Sequence, residues 1–271
     1  MLGDFRFAGG VAIRSRDTDQ MHELSDLVML SSDRFIAVGD AGARLDARLL
    51  FDAGGRLTGV TNALLTPISG LDGQPVRGDD RDAEGLALLP NGDLLVSFEG
   101  NHRVWRYPKA GDRALPAPWP NASFPINEGM EAITEYPDAG DDAYLVGDEG
   151  TGETWSCRVS AGCVKDRTVD KPPEFGLVAM TDLPGGLVAY LLRAYDPIQL
   201  SRITLKIMRG GTVVSRMDLA PPLTVDNFEG LASWPGTDGR RRFYLISDDN
   251  DRSSQRTLLF AFDWQMPTGN K

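Results

Sequence analysis

Cysteine and histidine are scarce in this chain of 271 residues, with only Cys157, Cys163, His22 and His102. Two cysteines cannot complete a tetrahedral zinc site unaided, and only the two histidines could join them. No segment carries eighteen apolar residues in a row, so no membrane-spanning helix is expected. Positive charge is also short, at 28 Lys and Arg against 39 Asp and Glu, a net −11. That balance argues against nucleic acid as a partner. No Gly-x-Ser-x-Gly elbow occurs, which sets serine-nucleophile chemistry of that kind aside. No secretory signal is visible at Met1-Leu2-Gly3-Asp4, which fits either a chain from which one has been removed or a cytoplasmic protein.

What the chain has in quantity is turn formers, with 30 Gly and 17 Pro. Beside 41% hydrophobic residues these suit many short strands around a full core rather than long helices. The strands come as a repeat. Asp82-Ala83-Glu84-Gly85-Leu86-Ala87-Leu88-Leu89-Pro90-Asn91-Gly92-Asp93-Leu94-Leu95-Val96-Ser97-Phe98-Glu99 reads as acid, apolar strand, turn, apolar strand, acid. A Pro-Asn-Gly turn folds such a unit into a hairpin, with Glu84 and Glu99 together at the end away from the turn. The unit recurs from Glu131 to Asp148 and from Glu229 to Asp248, with degenerate copies from Val178 to Arg193 and from His22 to Asp40. The turn prolines Pro90, Pro137, Pro184 and Pro235 recur at about 50 residues, the range of a propeller blade.

Outer strands follow each inner pair. Arg44–Phe51 and Arg56–Asn62 belong to the first, and Arg103–Tyr107 to the second, after which proline-rich Leu115–Pro125 is expected as extended coil. Thr154–Val159 with Val164–Val169, and Arg202–Ile207 with Val213–Leu219, form two outer hairpins. After Asp248 only Thr257–Phe262 remains, so the N-terminal strand Phe5–Ile13 is expected to complete the last sheet and close the ring. The expectation is one all-β domain, residues 1–271, a β-propeller of five four-stranded blades, with six as the alternative. Cys157 and Cys163 lie in one hairpin and can form a disulfide, which favours a periplasmic or secreted location. The bland alternative is a pair of reduced core thiols.

The hairpin ends define a constellation. Strand-start positions hold His22, Glu84, Glu131, Val178 and Glu229; strand-end positions hold Asp40, Glu99, Asp148, Arg193 and Asp248. All should gather at one mouth of the channel, flanked by Asp26, Asp82, Asn127, Glu128, Asp226, Asn227, Asp249 and Asn250. Two carboxylates about 4 Å apart repel by roughly 4 kcal/mol at an effective dielectric near 20. Several such pairs need protons or a cation, and carboxylates with Asn suit calcium ahead of magnesium. The alternative is that each acid only caps its own hairpin. Arg193 either clamps an anionic substrate group or neutralises the acids, while Glu99 or His102, three residues on, is placed to move a proton. His102 also reads as a plain surface-loop histidine.

The ordered set Asp82-Ala83-Glu84-Gly85-Leu86-Ala87, Asn127-Glu128-Gly129-Met130-Glu131-Ala132 and Asn227-Phe228-Glu229-Gly230-Leu231-Ala232 resembles the family called esterase-like activity of phytase. Leu192-Arg193, Asp196-Pro197, Ser247-Asp248-Asp249-Asn250 and Gln255-Arg256-Thr257-Leu258-Leu259 extend the likeness. The resemblance implies a propeller and an ester or phosphoester hydrolase, in a group of mostly exported bacterial proteins. The Glu-Gly strand starts are also similar to those of calcium lactonases of the gluconolactonase type. The resulting expectation is a calcium-dependent hydrolase of a phosphate ester or related anionic ester. In it Glu84, Glu131, Glu229, Asp148, Asp248 and Asp40 hold the metal, and Arg193, His102 and Glu99 act on the substrate. The expected partner is a small anionic molecule met by a monomer, with neither nucleic acid nor membrane. The alternatives are a calcium-dependent lactonase and a non-catalytic ligand- or protein-binding propeller with structural calcium.

Overall fold

The inner strands read as unbroken apolar runs because both of their faces are buried. In Phe35-Ile36-Ala37-Val38, Phe35 and Ala37 pack into one apolar cluster while Ile36 and Val38 pack into another on the opposite face. Period-two alternation thus serves two cores at once. The computed structural model describes residues 2–267, apart from 16, 17, 19, 20, 112, 237 and 238.

The chain runs through β1 (Phe5–Ala12), β2 (Leu24–Met29), β3 (Arg34–Gly39), β4 (Ala43–Phe51) and β5 (Leu57–Pro67). It continues through β6 (Ala83–Leu88), β7 (Leu94–Phe98), β8 (Arg103–Tyr107), β9 (Leu115–Ala117), β10 (Ala132–Glu135), β11 (Ala143–Gly147), β12 (Glu153–Arg158) and β13 (Gly162–Thr168). The last strands are β14 (Gly176–Leu183), β15 (Leu187–Asp196), β16 (Leu200–Arg209), β17 (Thr212–Leu219), β18 (Asn227–Pro235), β19 (Arg241–Asp248) and β20 (Leu258–Trp264). Strands β6–β9, β10–β13 and β14–β17 each form a four-stranded sheet in chain order. The other eight strands form one sheet in the order β18-β19-β20-β1-β5-β4-β3-β2.

That larger sheet is two four-stranded halves joined at one point. β1 pairs antiparallel with β20 from Phe5↔Trp264 to Ala12↔Leu258, the closure expected of the N-terminal strand. Its other edge meets β5 only at Gly9↔Leu57, in parallel. A Cβ on Gly9 would sit 2.4 Å from the Leu57 carbonyl oxygen, and Gly9 has φ +111°, so no other residue fits this crossing. The innermost strands touch in the cyclic order β2, β6, β10, β14, β18 and back to β2. Apolar clusters fill each wedge between neighbouring sheets. Phe243 and Phe228, both fully buried in one wedge, show the density of this packing. Truncating such a phenylalanine to alanine typically costs about 3–5 kcal/mol.

One stretch departs from expectation. Leu115–Ala117 is a strand rather than coil, pairing Arg106↔Leu115, Trp105↔Pro116 and Val104↔Ala117. β9 is the edge of its sheet, and an edge strand tolerates a proline whose missing N–H is not needed by a further strand. Cys157 and Cys163 face each other across β12–β13 and form a disulfide. No helix of the described residues is long and apolar enough to cross a membrane.

Candidate active site

Glu84 and Glu229 owe their positions to bulges. The register of β6 on β7 slips between Ala83 and Leu86, and that of β18 on β19 between Phe228 and Gly230. A bulge takes a residue out of the ladder and re-aims its side chain. The glycine that follows is fixed by crowding. A Cβ on Gly85 would lie 2.2 Å from the Glu131 carbonyl oxygen, and one on Gly230 would lie 2.7 Å from that of Ser25. Glu-Gly therefore encodes a bulge and a close strand approach together. The same slip occurs in β2 between Leu24 and Asp26, and in β14 between Leu177 and Ala179. The bulge residues there are Ser25 and Val178. Ser25, not His22, is thus the counterpart of Glu84 in the first copy; the degenerate sequence hid it. Ser25 Oγ donates to Asp40 Oδ1 at 2.6 Å, whereas His22 Nδ1 lies 3.1 Å from Glu23 Oε2. In β10 the ladder runs without a slip from Ala132↔Gly147, so Glu131 sits just before the strand, opposite Asp148.

At the mouth, Asp40, Asp82 and Glu84 bring ligand oxygens within 4.8 Å of one another. Burial is the main force on these acids, and repulsion adds to it. Burial, offset by the Ser25 hydrogen bond, with Asp248, Glu229 and Asp82 nearby, pushes Asp40 up to about 8. Burial and then Asp40, Glu131 and Glu229 hold Glu84 well above the carboxylate range. Asp82 is raised by burial, against the pull of its neighbour Glu84 and of Arg103 and Arg81. Glu131 is raised by burial and by the neighbouring Glu149, against the pull of Arg193. Glu229 is raised by burial against the pull of Arg193, and burial with Glu229 takes Asp248 to about 8. Glu99, raised to about 8 by burial and then by Asp82 and Glu149, keeps Oε1 buried without a hydrogen-bond partner.

Of the positions singled out from sequence, Asp40, Glu84, Glu99, Glu131, Arg193, Glu229 and Asp248 thus form one interacting group. Arg193 is held inside it. Its NH1 meets Glu229 Oε1 at 2.8 Å and donates to Asn227 Oδ1, and its NH2 donates to Glu149 Oε1 at 3.2 Å. Burial opposes the Arg193 charge, but Glu229, Glu131 and Glu149 together raise its pKa above the ordinary value. Asp148 has a local partner. Its Oδ1 accepts the Thr151 N–H at 2.8 Å, which makes it the anchor of its own turn. His102 is turned to a loop: Nε2 lies 2.7 Å from the Pro125 carbonyl oxygen, so it is the protonated nitrogen, and Nδ1 is buried against Gly129. Asp26 is a strut, with one oxygen accepting Leu86 N–H at 2.9 Å and the other Leu231 N–H at 3.0 Å.

Glu149 is the residue that sequence reasoning missed. It adjoins Asp148 in Gly147-Asp148-Glu149-Gly150, and the second of two adjacent acids was the only signal available. The donor set suits a hard cation. It is all oxygen, Asp40, Asp82 and Glu84 gather their oxygens within 4.8 Å, and Glu99 Oε1 has no donor.

Residues 19–251 match the model of the phytase-like family, described as esterase-like activity of phytase. No curated protein matches the chain. A streptogramin B lyase structure is 9% identical, covering 96% of this chain and 98% of its own, with a TM-score of 0.53. The major allergen Mala s 1 of Malassezia sympodialis is 13% identical over 90% of this chain and 78% of its own, TM-score 0.50. A protein assigned as a gluconolactonase is 16% identical over 86% and 71%, TM-score 0.50. At such identities the likeness is one of fold, an all-β, propeller-like arrangement of four-stranded sheets.

Proposed function

The chain belongs to the phytase-like family of esterase-like activity, and from that premise we propose that it is a hydrolase of phosphate esters or related anionic esters. The observation that carries the reading is the meeting of Asp40, Asp82 and Glu84 oxygens within 4.8 Å. Arg103 and Arg81 pull on Asp82 from a distance, but among the described residues no cation forms an ion pair with any of the three. We read the sheets as five blades, the eight-stranded sheet counting as two, so that each blade lends one strand end to a single mouth.

Asp40, Asp82 and Glu84 would hold calcium, with Glu229 and Asp248 beside them. When bound, the ion supplies Lewis acidity toward the phosphoryl or carbonyl oxygen. The chain's own groups do the rest. Glu99 carries or accepts a proton at Oε1, the oxygen that has no other partner. Arg193 holds Glu149 and Glu229 in place and keeps their charges tolerable. Asn227 fixes Glu229 Oε1 at 2.9 Å and Asp248 Oδ2 at 3.3 Å. Asp148 and His102 fall outside this assignment. The substrate is a small anion met by a monomer, with neither nucleic acid nor membrane involved, and the disulfide suits the periplasm or the exterior.

The test is turnover of 4-nitrophenyl phosphate and of carboxylic 4-nitrophenyl esters, in calcium and in chelator. Wild type should turn over at least one of them only in calcium, and Glu84→Gln should lose about a hundredfold or more, or 2.7 kcal/mol of barrier. Turnover of a sugar lactone alone would move the substrate class. Calcium-dependent melting with no turnover of any ester would leave a binding propeller.

A further inference from the structure

The opposite mouth of the channel holds a second set of charges, mostly half-buried, that the acidic mouth does not use. The turns β10–β11, β14–β15 and β18–β19 rim a cavity of about 480 Å³ there. That volume falls in the range of sites for small ligands, roughly 300–1,000 Å³. Inner strands of all the sheets line it. Its charged groups are Glu135, Asp138, Asp182 and Arg241, three acids to one base, and Met29, Met180 and Trp234 contribute to its apolar wall.

These charges are not matched to each other. Arg241 donates from NH1 to Ser233 Oγ at 2.9 Å. Asp182 and Glu135 both attract it across the cavity, but among the described residues neither comes within ion-pair distance of it. Asp182 Oδ1 is buried with no hydrogen-bond partner, although its backbone N–H is satisfied by Thr134 Oγ1 at 3.1 Å. Thr134 Oγ1 also donates to Glu135 Oε2 at 3.1 Å, so the hydroxyl is taken. Burial, with Glu135 and Asp138 nearby, pushes Asp182 up to about 7. A buried acid oxygen with no donor and a guanidinium with no direct counter-charge, facing one open-sided cavity, are both satisfied by a ligand that carries the two opposite charges. Two methionines and a tryptophan offer the polarizable and flat surfaces that an aromatic ring favours.

We propose that this cavity binds a zwitterionic aromatic α-amino acid, its ammonium on Asp182 Oδ1, its carboxylate on Arg241, and its ring against Met29, Met180 and Trp234. The site is independent of the acidic mouth and of any hydrolysis there. It is tested on the intact protein by calorimetric titration and NMR shift mapping with L-phenylalanine. Two truncated probes accompany it: L-phenylalaninamide, which lacks the carboxylate, and 3-phenylpropanoate, which lacks the ammonium. L-phenylalanine should bind wild type, with each truncated probe at least about tenfold weaker. Asp182→Asn should weaken L-phenylalanine by about tenfold while sparing 3-phenylpropanoate, and Arg241→Gln should weaken it while sparing the amide. Folding of both variants is checked by circular dichroism, and the wild-type probe series decides the matter if either fails to fold. Absence of binding at about 10 mM would overturn the proposal. So would equal binding of the three probes, or binding of a neutral sugar in their place.

Discussion

Asp26 and Glu84 are both acids on inner strands, yet their surroundings differ in kind. Asp26, at mid-channel, gives each oxygen to a backbone N–H, one on β6 and one on β18. Glu84, at the mouth, has Asp40, Glu131, Glu229 and Asp82 for charged neighbours. Burial raises the pKa of both. A buried carboxyl with two backbone donors is a strut, and its worth is stability. A buried carboxyl facing other carboxyls costs stability and keeps its place only through what it binds. The identity of the partners, not burial, separates the two.

The largest expected effect breaks that comparison at its structural end. Asp26→Ala leaves the Leu86 and Leu231 N–H groups without an acceptor between three inner strands. At about 2 kcal/mol for each orphaned donor, the loss is roughly 4 kcal/mol. Glu84→Gln should instead stabilise the calcium-free chain, since burial among other acids penalises the Glu84 carboxylate and a neutral amide escapes that cost. Urea denaturation of the two variants without calcium should move in opposite directions. Two variants shifting the same way would erase the distinction.

The next effect comes from pH. Asp40, Glu99 and Asp248 are each held near about 8, chiefly by burial. Unfolded carboxyls titrate near ~4. Between those values the folded chain binds more protons than the unfolded one, so stability is present at low pH and is lost as pH rises through about 8. The melting temperature without calcium should therefore fall from about pH 5 to about pH 8. Calcium at a hundredfold excess over its dissociation constant should restore about 2.7 kcal/mol, and more at the upper pH than at the lower. A melting temperature that ignores both pH and calcium would make the mouth a set of hairpin caps.

Much of this was legible in the sequence because one unit is repeated. The Glu-Gly pair fixed the inner strand starts, and the missing strand after Thr257–Phe262 pointed to β1 as the closing element. Repetition failed where copies decay. His22 stood in for Ser25 because the first copy lacks the Glu-Gly pair that marks the bulge. Adjacent acids in a turn carry no period, so Asp148 and Glu149 could not be ranked, and the structure turns Asp148 to its own loop and Glu149 to Arg193. Pro116 and the edge strand β9 were hidden by the ordinary rule that prolines break strands.

The disulfide supplies a control far from either acid. Cys157 and Cys163 close a short loop on β12–β13, outside the charged group. Replacing both with serine should cost about 2 kcal/mol. The calcium and pH responses should survive that loss unchanged, as read from melts of the double variant. A calcium response that vanished with the disulfide would tie the mouth to general stability and blur the contrast with Asp26.

The smallest effect decides what Arg193 does. Sequence left two roles open, a clamp for an anionic substrate and a counter-charge for the acids. Three protein acceptors now occupy its guanidinium: Glu229, Glu149 and Asn227. A group so engaged serves first as the counter-charge that lets Glu131, Glu149 and Glu229 crowd together. Arg193→Lys keeps the charge but cannot reach all three acceptors with a planar fork. It should cost about 1 kcal/mol, the net worth of a hydrogen bond. Calcium affinity should stay within about threefold of wild type, and turnover within about tenfold. Arg193→Met, which removes the charge, should raise the repulsion among the three acids and so make the chain more dependent on calcium. If Arg193→Lys instead lost about a hundredfold in turnover at unchanged calcium affinity and unchanged melting, the guanidinium would be touching substrate, and the counter-charge assignment would give way to the clamp.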